Sequence, residues 1–248
     1  MNQFQLLVPE YRRKGFPLLS HAFSLFTKNM LPIFALVAIL TLPAEVIKYY
    51  FVDESWNERG FFSSTTGMDA IIQLIFLSVV ALMVVYYILG RLTGGNVGLK
   101  QSIRFGIRKW PKILIYGFLQ NAIISAGLIL FVIPGILCAV WLMLLPIVVA
   151  VTDTSRTNPL EICREMARRR FFKFAGYAIG GGAITGLVLV PGIGIAALLP
   201  VESVIVNLLL DLYINFAFQF FVIVLLLVFL QVNTEWNDDA LMSENPRD

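Results

Sequence analysis

Charge is scarce in this chain. Asp, Glu, Lys and Arg make up 14% of its 248 residues, where soluble domains carry about 25%. With so little polar surface to offer water, soluble enzymes, disordered proteins and nucleic-acid binders are excluded. Histidine and cysteine are nearly absent as well: His21 stands alone, and Cys138 and Cys163 lie 25 positions apart. Neither a disulfide framework nor a tetrahedral metal site can be built from that set, and no nucleophile has a visible base beside it. No cofactor, metal or catalytic residue is therefore expected. Period-two alternation is missing too, as the run Val224 to Leu230 illustrates, which argues against a membrane β-barrel.

What the chain has in quantity is apolar sequence. Hydrophobic residues reach 58% and the mean hydropathy is +0.80. A bilayer core of about 30 Å needs about 20 apolar residues in helix, and such runs fall at 30–51, 70–90, 112–133, 135–152, 172–192 and 202–231. The expectation is an all-α integral membrane protein with six transmembrane helices, ending in an acidic tail over 232–248. The first long apolar run starts too late and continues too far for a cleaved signal peptide.

Basic residues fix an orientation, since cytoplasmic loops carry the excess of Lys and Arg. Placing the N-terminus in the cytoplasm puts 17 of the 19 cations on that side and only Lys48 and Arg59 opposite. Both termini are thus expected in the cytoplasm of a bacterial cell, with the protein in the inner membrane. An outer loop from Val52 to Gly67 would carry Trp56, Phe61 and Phe62 at the interface. Pro134-Gly135 and Pro191-Gly192 would make the other two outer turns.

The three cytoplasmic segments repeat one another. Leu19, Leu99 and Leu160 each precede a small residue by three positions (Ala22, Ser102, Cys163) and a large apolar residue by eleven (Met30, Trp110, Phe171). The second segment is amphipathic, with Leu99, Ile103, Ile107 and Trp110 on one face and Lys100, Arg104 and Arg108 beside them, so it should lie in the headgroup plane. In the third, Asn158 is placed as an N-cap, Pro159 at the first helical position and Glu161 as a capping-box acid. The architecture implied is three units, each an elbow helix followed by a two-span hairpin.

Phe131-Val132-Ile133-Pro134-Gly135-Ile136, a following span with Leu145-Pro146, and an elbow ending in Arg168-Arg169-Arg170 resemble the YciC-type bacterial inner-membrane proteins. They are also similar to the membrane domain fused to some glycerophosphodiesterases. The resemblance covers most of the chain by topology and is most specific between Phe131 and Phe174. It implies six spans, no assigned molecular activity and no catalytic residue, because the phosphodiesterase site belongs to a separate soluble domain.

Four features carry expectations about function. Gly176, Gly180, Gly182 and Gly186 give two GxxxG spacings suited to close helix packing. In the sixth span Ser203, Asn207, Asp211, Asn215 and Gln219 recur every four residues, either as hydrogen-bonding glue between helices or as the lining of a polar path. Counted at about 1.5 Å per residue, Lys48 and Asp211 lie at similar depth and form a candidate ion pair, with Glu45 as another partner for Lys48. Arg104, Arg108, Lys109, Arg168, Arg169 and Arg170 are candidate contacts for anionic phospholipid, such as phosphatidylglycerol or cardiolipin, although topology alone would also place cations there. The expected function is non-enzymatic, in envelope or lipid homeostasis, with membrane lipids and an unknown membrane protein as partners. The alternative is a transporter or channel for a small polar solute.

Overall fold

The computed structural model describes residues 9–51, 64–95, 97–152, 158–168, 170–196 and 204–244, with side chains described over 9–47, 75–95, 97–152, 158–168, 170–195 and 205–236. The loop carrying Trp56, Phe61 and Phe62, together with Ser203, Arg169 and the side chain of Lys48, lies outside that description. Among the described residues there are nine helices and no strand: α1 (Phe16–Lys28), α2 (Met30–Phe51), α3 (Ser64–Leu92), α4 (Leu99–Leu130), α5 (Val132–Leu142), α6 (Leu145–Val151), α7 (Pro159–Arg168), α8 (Phe171–Ala196) and α9 (Val204–Glu244). Six segments are long and apolar enough to cross a membrane, namely α2, α3, α4, α5 with α6, α8 and α9. The chain is a multi-pass, all-helical membrane protein.

Helices α3 and α9 form the centre. Helix α9 packs on α1, α2, α3 and α8, while α3 packs on α2, α4, α6 and α9. The core is lopsided along the membrane normal. Buried residues crowd the end where the elbows lie, over 79–90 of α3, 142–150 across α5 and α6, and 216–232 of α9. Toward the other end, Ile129, Ile133, Leu187 and Ile205 turn outward. Lipid tails are as apolar as these side chains, so outward-facing hydrophobics cost nothing there.

The elbows share a buried strip. The small residues of the repeat, Ala22, Ser102 and Cys163, are all fully buried. Seven positions after each leucine comes another buried residue, Phe26, Gly106 or Ala167. Asn158 caps α7 as expected, with the Leu160 amide donating to its Oδ1 at 3.2 Å.

Four features differ from the sequence reading. The second elbow is not a separate helix, because α4 runs unbroken from Leu99 through Trp110 and Pro111. At the first elbow, Thr27 Oγ1 and Asn29 Nδ2 bond back to the carbonyls of Phe23 and Leu25, a competition with helix bonds that the Ile107 and Lys109 counterparts do not offer in that way. The α4–α5 turn is made by extended Phe131 alone, and Pro134 falls in the first turn of α5, where a missing N–H costs little. Gly135 then lets two backbones meet, since a Cβ there would lie 2.7 Å from the Leu128 nitrogen. Pro191 and Gly192 lie inside α8 rather than ending it; the Tyr213 hydroxyl donates to the nearby Val188 carbonyl, and the Tyr213 ring occupies the space a Cβ on Gly192 would need. Finally, α9 does not stop at residue 231 but continues to Glu244, and Val232 and Thr234 are buried.

The glycine face is also displaced. Gly176, Gly182 and Gly186 have nothing within 4 Å of a notional Cβ, and Gly180 only grazes Leu19. Gly181 is the close-packed one, against Val224 and Phe221, in a buried row with Phe174, Tyr177 and Thr185. That row, spaced three or four apart, is the face α8 turns to α9.

Candidate functional site

The polar stripe of α9 changes environment along its length. Asn207 is exposed, Asp211 and Asn215 are half-buried and Gln219 is fully buried. A four-residue repeat drifts by about 40° per step, which helps carry the row from the outer surface into the core. Gln219 Nε2 donates to the Asn215 carbonyl at 3.0 Å. Its Oε1 is buried without a hydrogen-bond partner. Beside Asn215, Thr41 and Glu45 of α2 and Phe76 of α3 enclose a cavity of about 10 Å³, room for about one water. Phe34 of α2 packs on Phe216 of α9, ring centroids 5.7 Å apart.

The cations of the basic elbows differ in how far they turn into the protein. Lys109 is turned inward, away from the headgroup position its sequence context suggested. Its Nζ donates to the carbonyls of Val149, Ala150 and Thr152 at 3.0, 2.9 and 3.0 Å and lies over the Phe105 ring. Those are the orphan carbonyls at the C-terminal end of α6, where an ammonium both donates hydrogen bonds and opposes the helix dipole. Arg170 is similarly engaged, with Nε 3.4 Å from Glu235. Arg104, Arg108 and Arg168 remain exposed. Cys163 is packing, since burial pushes its thiol up to about 12 and leaves it inert.

A polar node escaped the sequence reading altogether. Glu235, near the end of α9, accepts from Lys14 at 2.9 Å, from Lys173 at 2.9 and 3.0 Å, and from Gln231 Nε2 at 2.9 Å, with Arg170 completing the set. Gln231 Oε1 in turn accepts from the Tyr177 hydroxyl at 3.2 Å. That hydroxyl also accepts the amide of Gly15 at 2.7 Å. Gly15 has φ +61°, a left-handed conformation that glycine adopts at no steric cost. One residue turn further, the Tyr11 amide donates to Thr234 Oγ1 at 2.9 Å. Residues 9–15 thus form a strap across the ends of α8 and α9.

The strap also meets α1. The Tyr11 ring stacks on His21, centroids 5.7 Å apart at 6°, with the hydroxyl 2.8 Å from His21 Nδ1. Burial pushes Tyr11 up to about 12, so its hydroxyl stays protonated. Burial first, and then Arg13 and Lys28, hold His21 below the ordinary imidazole range. Near neutrality the imidazole is therefore uncharged, and its Nδ1 shares a hydrogen bond with the tyrosine hydroxyl. His21, the chain's single histidine, is one member of this network.

Because Glu235 is partly exposed and bound by three cations, its removal should fall between the surface and buried limits for ion pairs. Glu235→Gln is expected to destabilise the protein by about 2 kcal/mol, Lys173→Gln by less, and exposed Lys14→Gln least. Thermal melting in detergent checks the order; a Lys14→Gln effect as large as that of Glu235→Gln would contradict it.

No family model, curated protein or solved structure matches this chain.

Proposed function

We propose that the chain is a non-enzymatic multi-pass protein of the bacterial inner membrane, both termini cytoplasmic, serving envelope or lipid homeostasis by holding anionic lipid at its basic elbow face. Its resemblance to YciC-type proteins agrees with this. The observation that carries the reading over solute transport is the sealed inner end of the polar stripe. Helix α9 is buried almost without interruption from Phe216 to Val232, and the space beside Asn215 is only about 10 Å³. A hydrated solute needs a continuous wet route, and a core at organic-crystal density gives none. The polar groups of α9 then act as ties between helices.

A transporter reading draws support from one feature, the greater exposure of Asn207 and Asp211 toward the outer end. Single-cysteine variants separate the two, made in a background where Cys138 and Cys163 are replaced by Ser and Ala. A membrane-impermeant thiol reagent applied from either side should leave Asn215→Cys and Gln219→Cys unlabelled. Labelling of both within about tenfold of the rate at an exposed Lys100→Cys control would favour transport.

The same reading pairs Lys48 with Asp211 as one of those ties. If so, Asp211→Asn and the double change Asp211→Asn with Lys48→Gln lower the melting temperature equally, because losing either partner already breaks the pair. Independent, additive losses would remove the pairing.

A further inference from the structure

We propose that the groove between the N-terminal strap and α1 is the headgroup site of an anionic phospholipid, its phosphate held between Arg13 and Lys28. This rests on the lipid-holding reading above and gives it a location on the first elbow, away from the cations that the sequence singled out on the other two.

At about 100° per residue, α1 presents three strips. Leu18, Ala22 and Phe26 are buried, with Phe26 against the rings of Phe216 and Phe220 at 5.0 and 5.9 Å. Phe16 and Phe23 form an apolar flank, 79% and 49% exposed, continued by Leu31 of α2 at 79%. Ser20, His21, Ser24 and Lys28 make the third strip, and the strap brings Arg13 over it. The resulting groove has a volume of about 600 Å³ and is lined by Arg13, Phe16, Ser20, His21, Ser24 and Lys28, among others. No carboxylate lines it.

That combination suits a phosphodiester on a diacyl chain. A guanidinium offers two parallel donors to phosphate oxygens, an ammonium supplies a second charge, and two hydroxyls four residues apart supply neutral donors. The apolar flank beside them is where acyl chains would run. What sets this groove apart from exposed cations such as Lys100, Arg104 and Arg168 is that two cations and two hydroxyls line one cavity beside an apolar flank. Lys14, Arg170 and Lys173 are bound to Glu235 and Lys109 to α6 carbonyls, whereas Arg13 and Lys28 have no hydrogen bond or ion pair among the described residues. Both bear on His21, and both lower its proton affinity. An anion seated between them would offset that effect, so His21, the chain's single histidine, is a built-in reporter.

The test uses the full chain in phosphatidylcholine nanodiscs with and without phosphatidylglycerol, read by native mass spectrometry and by the NMR titration of His21. Each cation near an anionic lipid is worth about fivefold in affinity, so R13Q/K28Q should retain roughly 30-fold less phosphatidylglycerol than the wild type. K100Q/R104Q, which loses the same charge from the exposed face of α4, should retain it. Phosphatidylglycerol should raise the His21 pKa in the wild type by more than in R13Q/K28Q, where only the general surface potential acts. All of these residues but His21 are exposed, and melting curves confirm that the variants fold. Equal retention in all three proteins would overturn the groove while leaving a lipid-holding protein. No preference of the wild type for phosphatidylglycerol over phosphatidylcholine would overturn both. Displacement of the lipid by millimolar glycerol phosphate, with the same rise at His21, would overturn the lipid assignment in favour of a soluble phosphate ester.

Discussion

Inside a bilayer, apolar burial does not by itself hold helices together, because a lipid tail is as good a neighbour as a leucine. Polar ties and close van der Waals contact must decide the arrangement. Among the described residues, Glu235 gathers several such ties at one carboxylate. It draws together Lys14 at the start of the chain, Arg170 and Lys173 where α7 gives way to α8, and Gln231 one turn away on α9. Through Gln231 and Tyr177 the tie reaches the backbone of Gly15. The first and third elbow units are therefore joined by one carboxylate, half-buried, where screening by water is reduced and the charge counts for more.

The second unit is tied differently. Lys109 grips the end of α6 through three carbonyls, and the rings of Tyr86 and Phe105 stack at 4.4 Å. Both contacts lie on the elbow side, as does the buried strip of small residues Ala22, Ser102 and Cys163. One end of the molecule is thus a closed, cross-linked block and the other presents long apolar helix surfaces to lipid. The proposed function follows from that asymmetry, since a sealed block with a basic rim is suited to holding something at the membrane surface.

Much of the architecture was legible in the sequence. Apolar run lengths gave the six spans, and the recurrence of leucine, small residue and large apolar residue gave the first and third elbows, α1 and α7, as helices of their own, whereas the second continues unbroken into α4. Misplaced features were those decided by a partner helix. Pro191 and Gly192 have the composition of a turn, yet α8 continues past them with Tyr213 against it. Gly181 packs where the neighbouring GxxxG glycines do not, because α9 lies on that side. Lys109 looked like its neighbours Arg104 and Arg108, and only the fold brings the end of α6 within its reach.

Glu235 was hidden for a different reason. An acid after a long apolar run has the composition of a solvated tail, and its cations lie 221 and 62 positions away at Lys14 and Lys173. One signal did exist: no glycine or proline occurs between Pro200 and Pro246, so nothing in the sequence ends α9 at residue 231. Hydrogen exchange on a Glu235→Gln variant tests the central claim most directly. If this carboxylate closes the elbow end, amide exchange accelerates together in residues 9–16 and in the first turns of α8, while the far halves of α4 and α8 keep wild-type rates. Unchanged exchange in the strap, or acceleration spread evenly over all helices, would contradict the account.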